Sequence, residues 1–395
     1  MAQLCAHLRV LFFVGNLFHL LPCRYNSKTD QFESNSKLSQ LAFVINLSLC
    51  SLQLCFDWFH VWHGDRNRMS RIFNFLLLLH IVSFPMTIVY MQLLSYTKRA
   101  RIAILHSELF TDRRWRLFGE RTDSWYVSSL WLGRFTTTVT IGGVVYLFPL
   151  IVTGKESITR IPIYATFFEA VRLYMTLVAI LIYVVCVLVI KMRFKQIQER
   201  VEQFSPSLNT DRQWRMFLDH YQLGVSLVNE INDNFSVLLM MILVLVQVQL
   251  SNQAFVLYCS TQVVNSPAVS VAITVHTQMW ESSFLLMLLL VGYACDSCHE
   301  QIDSVNVAIR NYTGADIGAA RTVQEWKRLD QFHLQTLYQK HRQRFTVGGL
   351  FVLDNKLVCM ALTSMVTYLV ILIQFRQLDE EDLLITFGNV SELSF

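Results

Sequence analysis

The chain has 395 residues, of which 53% are hydrophobic and only 16% are charged, and its mean hydropathy is +0.38. This balance excludes an ordinary soluble globular protein and is typical of a membrane protein. The formal net charge of +4 becomes informative only once the cationic residues are assigned to the two sides of a membrane.

Residues 8–21 are apolar, but they are too few to span a bilayer and are interrupted by Asn16 and His19. The core of a secretory signal peptide has a similar composition. We instead predict a short interfacial or re-entrant helix, because the charge distribution described below places the N-terminus in the cytosol.

Seven later segments are long and apolar enough to cross a bilayer as helices. Pro85 predicts a kink in the second, and the fourth is longer than a bilayer requires, so it tilts or projects into the cytosol. The fold class is therefore an all-α membrane protein with seven transmembrane helices. In order, the spans are residues 38–60, 73–94, 130–152, 161–190, 235–258, 269–294 and 357–375.

Lysine and arginine decide the orientation, because loops rich in these residues stay in the cytosol. Twenty-four of the 33 lie in the N-terminal segment and in the segments after spans two, four and six, whereas six lie in the other set of segments. The sequence therefore predicts a cytosolic N-terminus and an extracellular C-terminus. This orientation is opposite to that of a G-protein-coupled receptor.

The long cytosolic segments carry apolar residues at helical spacing. One face runs without a helix breaker into span five, with Thr210 or Asp211 as its predicted N-cap. Such apolar faces must be buried, either against one another or against the membrane surface. We favour packing of the faces against one another. The first face comprises Trp214, Phe217, Tyr221, Val225, Val228, Ile231 and Phe235, and a second comprises Val323, Trp326, Leu329, Phe332, Leu337 and Tyr338.

Ionisable residues inside spans are costly and usually face a cavity or a partner. Glu169 and Arg172 lie three residues apart on one face of span four, in its outer half. They are either a self-neutralising pair or part of the wall of a ligand pocket. In span six, His276, Gln278 and Glu281 form a second polar group beside Trp280.

Aromatic and hydrogen-bonding side chains together suit a small, largely apolar ligand. We therefore assign Glu169, Arg172, His276, Gln278, Trp280 and Glu281 to a candidate ligand site. For His276, the alternative is a satisfied interior histidine.

The nine cysteines show no disulfide framework, and most lie inside apolar runs. Cys295, Cys298 and His299 have the spacing of a haem attachment motif. We interpret them as incidental thiols at a helix end and predict no cofactor. No nucleotide loop, zinc motif or hydrolytic triad is recognisable, and we expect no enzymatic activity and no nucleic-acid partner.

The closing span carries its few polar residues on one line. At about 100° per residue, Thr363, Thr367 and Gln374 fall within about 20° of one another, flanked by Val370 and Ile371. Threonine hydroxyls that bond back to their own helix explain part of this pattern. A helix with one polar stripe is also what lines the pore of an oligomeric channel.

The end of this span, Thr367-Tyr368-Leu369-Val370-Ile371-Leu372-Ile373-Gln374-Phe375, resembles the signature that closes insect gustatory receptors, with Thr-Tyr, five apolar residues and Gln-Phe. The preceding run from Phe345 to Lys356 is similar to the family's lead-in. The resemblance implies a ligand-gated, non-selective cation channel, a homo- or hetero-tetramer with other gustatory receptor subunits. In such a channel Thr363, Thr367, Val370, Ile371, Gln374 and Phe375 would line the pore.

The resemblance also implies a small-molecule tastant, placement in the plasma membrane and a site of action in the dendrite of a sensory neuron. Sugar receptors of the family tend to have Glu where this chain has Gln374, which favours a bitter or other non-sugar ligand. An odorant receptor subunit of related fold and a G-protein-coupled seven-helix receptor are the alternatives.

The complete expected organisation has five parts. Asn389 is the glycosylation sequon that this topology places outside the cell, in an acidic tail for which the resemblance offers no explanation. The parts are a cytosolic N-terminus with a short apolar helix (1–37), spans one to four (38–190), spans five and six with cytosolic helices (191–346), the pore helix (347–375) and the extracellular tail (376–395).

Overall fold

The computed structural model describes residues 7–26, 29, 31–34, 37–63, 71–110, 115, 123–155, 163–203, 210–263, 267–315 and 343–392. These residues form helices with two very short hairpins between them. The elements are α1 (Arg9–Leu17), β1 (Arg24–Asn26), β2 (Gln31–Glu33), α2 (Lys37–His63), α3 (Arg71–Thr97), α4 (Arg99–Phe110), α5 (Asp123–Lys155), α6 (Ile163–Glu202), α7 (Thr210–Val263), α8 (Pro267–Ala315), β3 (Thr346–Val347), β4 (Phe351–Val352) and α9 (Asn355–Glu392).

Seven of these helices, α2, α3 and α5 to α9, correspond to the seven predicted spans, which confirms the seven-helix fold class; the predicted fourth span begins at residue 161, and α6 is described from Ile163. Within the described ranges, five of them are long and apolar enough by composition to cross a membrane: Trp125–Val152, Thr166–Glu202, Arg215–Tyr258, Thr274–Ile309 and Asn355–Leu378. The helices extend beyond the spans, most of all in α7 and α8, because apolar composition marks the part in lipid whereas the helical backbone continues into the cytosolic segments.

Helix α6 forms the centre of the bundle. In the most apolar 18-residue stretch of α6, 89% of the residues are buried, compared with 17% in α5 and 11% in α9. A helix that is apolar on all sides can be enclosed by other helices. Helix α9, which is also strongly apolar, is left at the periphery, where lipid or another subunit has to cover it.

The short helix α1 is present as predicted, and one of its faces packs into the bundle. Leu8, Leu11 and Leu21 are almost completely buried, whereas Phe13 and Leu17 are exposed. The Asn16 side chain donates to the carbonyls of Phe12 and Cys23, at 2.8 and 3.1 Å. An asparagine that interrupts the apolar run therefore fixes the turn that follows it.

The predicted apolar face of α7 is buried inside the subunit. Its residues from Phe217 to Phe235 are at most 5% exposed. The Tyr221 hydroxyl donates to Asn306 of α8 at 2.7 Å, and its ring packs edge-on against Phe194 of α6 at 5.8 Å. These contacts agree with packing between cytosolic helices. The second predicted face, residues 323–338, and the side chain of Trp214 lie outside the described part of the chain.

A β-hairpin precedes α9, so the segment assigned above to the pore helix becomes helical only at Asn355. Strands β3 and β4 pair antiparallel, with Thr346 opposite Val352. The turn between them contains Gly348 and Gly349 at φ of +58° and +71°, a backbone conformation that glycine adopts without steric cost. The hairpin sets the position from which the closing helix starts.

Candidate ligand site and pore helix

Helix α9 has one packed face and one exposed face. On the packed face, Leu372 is 5% exposed and contacts Phe255 of α7. Rotation by 100° per residue puts Thr363, Thr367 and Gln374 about 140–180° away from Val358, which is buried on the packed face. All three stripe residues are exposed. Val370, Ile371 and Phe375 are also exposed, at 48%, 40% and 56%.

The threonines of the stripe bond to their own helix. Thr363 Oγ1 donates to the Cys359 carbonyl at 2.9 Å, and Thr367 Oγ1 donates to the Thr363 carbonyl at 3.1 Å. The hydroxyl protons are therefore engaged, while the oxygen lone pairs remain able to accept. Both explanations of the stripe, backbone bonding and a polar pore lining, are compatible with this geometry.

Gln247 of α7 holds the middle of α9. With its amide nitrogen turned toward the Ala361 carbonyl, it donates at 3.1 Å, and its oxygen accepts from the Met365 backbone N–H at 3.0 Å. A glutamine that bonds two backbone groups of a neighbouring helix fixes the position of one helix relative to the other along their axes. This polar residue of span five therefore contributes to packing.

The segment from Arg344 to Val358, together with its contacts on α6, α7 and α8, forms a structure that we call the clasp. Phe345 is completely buried, and its backbone N–H donates to His299 Nε2 at 2.8 Å. Its ring stacks on His299 at 5.7 Å and meets Tyr183 edge-on at 6.3 Å. These contacts hold the segment before the hairpin between α6 and α8.

Asn232 of α7 completes the clasp from the other side. Its Nδ2 donates to the Arg344 carbonyl at 2.8 Å, and its Oδ1 accepts from the Thr346 N–H at 3.1 Å. One side chain thus bonds the backbone on both sides of Phe345. The segment that leads into α9 is therefore tied to the bundle by specific hydrogen bonds.

At the first turn of α9, Asn355 donates to Asp296 of α8 at 2.5 Å. Close by, a Cβ on Gly292 would lie 2.5 Å from the nearest methyl group of Val358. Only glycine fits this contact without a shift of the helices. Helix α8 therefore lies directly against the start of the closing helix.

A second group of contacts joins four helices, α2, α3, α6 and α8, in the half of the bundle that is predicted to be extracellular. Arg172 of α6 is 3% exposed, and its Nε donates to Gln53 Oε1 of α2 at 2.9 Å. Its guanidinium lies 6.0 Å from the ring centre of Phe84 in α3, and Phe84 meets Trp280 of α8 edge-on at 6.1 Å. We call this group, with His276, the outer cluster.

His276 connects the outer cluster to α5 and to Glu169. The Trp280 indole N–H donates to His276 Nε2 at 3.1 Å. Because an indole nitrogen can only donate, His276 Nε2 must be unprotonated, and the ring proton is on Nδ1. The ring also hydrogen-bonds the backbone of Leu150 and lies close enough to Glu169 for an electrostatic interaction. His276 is thus a bonded interior histidine within the cluster.

The structure places four of the six residues assigned to the ligand site, Glu169, Arg172, His276 and Trp280, in or beside the outer cluster. The other two, Gln278 and Glu281, lie on a different face of α8, where the Gln278 amide donates to Glu281 at 3.4 Å. Gln278 is exposed and Glu281 is partly exposed. The sequence analysis grouped these residues because they are close in sequence, but the rotation of the helix places them on different faces of α8.

Sequence reasoning missed Gln53 and Phe84. A single glutamine or phenylalanine in an apolar span gives no signal by itself. The polar partner of Arg172 could be sought among span residues that can accept a hydrogen bond, but only the packing of α2 on α6 selects Gln53.

Comparisons with known proteins agree with this architecture. The family model described as 7tm Chemosensory receptor matches residues 5–379. No curated protein matches the chain.

Two solved structures are similar to nearly the whole chain. The insect olfactory receptor OR5 from Machilis hrabei in complex with eugenol is similar with a TM-score of 0.65 at 12% identity, covering 94% of this chain and 99% of that one. A second structure of the same receptor gives a TM-score of 0.65 at 11% identity, with 93% and 99% covered. At these identities the likeness establishes the fold.

Proposed function

Because the chain belongs to the 7tm chemosensory receptor family, we propose that it is a gustatory receptor that works as a ligand-gated, non-selective cation channel. Four subunits, identical or mixed with other gustatory subunits, surround a central pore in the plasma membrane of a sensory dendrite. The closing signature Thr367 to Phe375 supports the gustatory assignment, since it resembles that branch without a departure.

The observation that carries the proposal is the exposed polar stripe of α9, opposite its packed face. An apolar helix at the edge of a bundle needs no polar stripe if lipid alone covers it, because exposed polar groups in lipid are costly. In a four-fold assembly the stripe faces water at the axis. Gln374 then lies at the outer mouth of the pore, with Phe375 as the apolar closure.

Helix α8 provides the connection between ligand and pore in this mechanism. Its outer half carries His276 and Trp280. Its cytosolic half carries Asp296, which contacts the start of α9, and His299, which contacts Phe345 before the hairpin. Trp280 and Asp296 are sixteen residues apart, about 24 Å along one continuous helix. A ligand that moves the outer half of α8 would also move the clasp.

Whole-cell recording from cells that express the chain alone tests the proposal. We expect bitter compounds to evoke an inward current without added G protein, and sugars to evoke little. Responses that require G-protein coupling would contradict the proposal. The absence of current from every tastant at a verified surface level, both for the chain alone and for the chain expressed together with other gustatory subunits, would also contradict it.

An olfactory receptor subunit is the second candidate, and the similarity to the olfactory receptor OR5 favours it. Eugenol, the compound bound to that receptor, and other volatile compounds are therefore included in the same recordings. Selective responses to the volatile compounds would support the olfactory function over the gustatory one.

A further inference from the structure

Three cationic side chains, Lys98, Arg99 and Arg101, lie where α3 passes into α4, and we call them the cationic junction. The Lys98 N–H donates to the Leu94 carbonyl, and the Lys98 carbonyl accepts from the Ile102 N–H, both at 2.9 Å. Helical hydrogen bonding thus continues through the junction. The backbone therefore holds the three side chains in fixed directions around one helix axis.

The inner side of this junction packs into the bundle, and its outer side is exposed. Ile102 and Leu105 on the inner side are almost completely buried. Leu93, Tyr96 and Ile104 are exposed, and the rotation of an α-helix places them on one face. They form an apolar stripe along the outside of the junction.

Arginine side chains flank this apolar stripe on both sides. Arg101 is exposed and Arg99 is partly exposed. The Arg99 guanidinium lies 4.8 Å from the centre of the Tyr96 ring, a distance typical of a cation–π contact. Lys98 lies about one helical turn before Arg101, where the two side chains are neighbours. The junction therefore combines a pair of adjacent cations with an apolar surface.

Within the described ranges, no carboxylate forms an ion pair with Lys98, Arg99 or Arg101. The Lys98 ammonium instead donates to the Asp233 backbone carbonyl of α7 at 2.5 Å, and its other two N–H groups can bind a further acceptor. Burial lowers the pKa of Lys98, and the charge of Arg101 lowers it further, while the charge of Asp233 acts in the opposite direction. Because two adjacent cations repel each other, an anion between them is favourable.

The junction lies next to the membrane on the predicted cytosolic side. It begins four residues after residue 94, where the predicted second span ends. Juxtamembrane lysine and arginine residues on this side attract anionic lipid headgroups. Leu93 and Tyr96 lie on the membrane side of the cations, at the level of the lipid glycerol groups. A lipid therefore complements both the cations and the apolar side chains, whereas a soluble phosphate complements the cations alone.

We propose that Lys98 and Arg101 bind the phosphate groups of a phosphoinositide headgroup in the cytosolic leaflet, with the glycerol region of the lipid against Tyr96 and Leu93. A phosphate monoester carries about −1.5 to −2 charges at pH 7 and so matches two adjacent cations. Phosphatidylserine lacks such a group. Lys98 bonds the residue that follows Asn232, so the lipid lies beside the clasp. The inference goes beyond the proposed function, because it requires the predicted orientation but no ion current.

The test uses detergent-purified full-length protein and three water-soluble probes: dioctanoyl phosphatidylinositol bisphosphate, dioctanoyl phosphatidylserine and inositol trisphosphate. The measurement is the probe concentration that gives half of the maximal rise in the thermal unfolding midpoint, because a ligand that binds the folded state stabilises it. We expect the bisphosphate lipid to act at a concentration about tenfold lower than either of the other probes. Equal potency of inositol trisphosphate would show that the site takes soluble phosphates, and it would overturn the assignment to a lipid.

Substitutions of Arg101 test the site directly. Arg101→Gln should raise the half-maximal concentration of the bisphosphate lipid about fivefold, the effect expected when one juxtamembrane cation is lost. Arg101→Lys keeps the charge and should stay close to the wild type. Since Arg101 is exposed, neither change disturbs the packed side of the junction.

Lys195→Gln on α6 supplies the matched control. Lys195 is also exposed on the predicted cytosolic side, but it pairs with Glu199 at 3.9 Å, so its loss should leave the half-maximal concentration unchanged. The same concentration for the wild type and Arg101→Gln, an equal effect of Lys195→Gln, or no stabilisation by the bisphosphate lipid would overturn the inference. Because the measurement needs no current, failure of the channel proposal would be seen separately, in the recordings.

Discussion

In the proposed channel, the side chain of Gln374 would set the ion selectivity of the pore. It is exposed at the outer part of α9, on the face opposite Leu372. An amide oxygen can replace a water ligand of a cation without adding a fixed charge. In the proposed tetramer four such amides form a ring at the outer mouth, just before Phe375.

Gln374→Glu should raise the permeability of divalent relative to monovalent cations. A unit charge at about 4 Å in water contributes about 1 kcal/mol, and a divalent ion gains twice as much. The difference of about 1 kcal/mol corresponds to an increase of about fivefold in the permeability ratio. Reversal potentials under bi-ionic conditions measure this ratio, with the surface level of the protein determined in parallel.

Gln278→Glu on α8 is the control, because it makes the same chemical change at another exposed glutamine outside α9. It should leave the permeability ratio unchanged. Equal ratios for the wild type and Gln374→Glu would show that Gln374 does not line the pore.

The clasp links three helices, α6, α7 and α8, to the segment that leads into α9. The two hydrogen bonds of Asn232 bracket Phe345, and His299 and Tyr183 enclose its ring. Tight packing and specific hydrogen bonds allow a few discrete arrangements rather than a continuous deformation. The clasp is therefore suited to transmit a movement of α8 to α9.

Asn232→Ala should reduce the maximal ligand-evoked current while the ligand concentration for half-maximal thermal stabilisation stays the same. The substitution removes one hydrogen bond from the partly buried Arg344 carbonyl and one from the partly buried Thr346 N–H, at a cost of about 0.5–1.5 kcal/mol for each. Current amplitude at constant surface level, together with thermal unfolding of the purified protein, distinguishes loss of coupling from loss of binding.

Asn229→Ala provides the comparison. Asn229 lies one turn earlier on α7, and its side chain donates to the Val225 carbonyl of its own helix at 3.1 Å. We expect this variant to conduct like the wild type. A similar loss of current in both variants would indicate general destabilisation of α7 instead of a role for the clasp.

For the whole molecule, the proposed mechanism requires that the clasp lies in the cytosol and that the far end of α9 lies outside the cell. The backbone of α9 is helical for 38 residues, from Asn355 to Glu392. This corresponds to about 57 Å, whereas the hydrocarbon core of a bilayer is about 30 Å thick. The helix that starts at the clasp can therefore cross the bilayer and continue beyond it into the tail.

The orientation predicted from lysine and arginine can be measured with epitope tags. A tag after Phe395 should be stained on intact cells, and a tag before Met1 only after permeabilisation, because positively charged segments are retained in the cytosol. The opposite staining pattern would restore the G-protein-coupled alternative.

Glycosylation gives an independent measurement of the same orientation. Asn389-Val390-Ser391 lies in the predicted extracellular tail and Asn311-Tyr312-Thr313 in a predicted cytosolic segment. A glycosidase-sensitive mass shift should be lost in Asn389→Gln and retained in Asn311→Gln. Its loss in Asn311→Gln would contradict the predicted orientation.

The sequence alone determined the seven-helix fold, the approximate position of each span and the polar stripe of the closing helix. These features depend on local composition and on the period of the α-helix, so they can be read from neighbouring residues. The start of α7 close to the predicted N-cap, Thr210 or Asp211, and the burial of its apolar face followed from the same local rules.

Only the tertiary structure decided which polar residues meet. Arg172 bonds Gln53, which is more than one hundred residues away, and His276 joins Trp280 while Gln278 and Glu281 lie on another face of α8. The sequence could not predict that α6 lies at the centre and α9 at the periphery, because both helices are strongly apolar. The physical reason is that helix rotation and neighbour choice depend on packing between distant segments, which the local hydrophobic pattern does not specify inside a membrane.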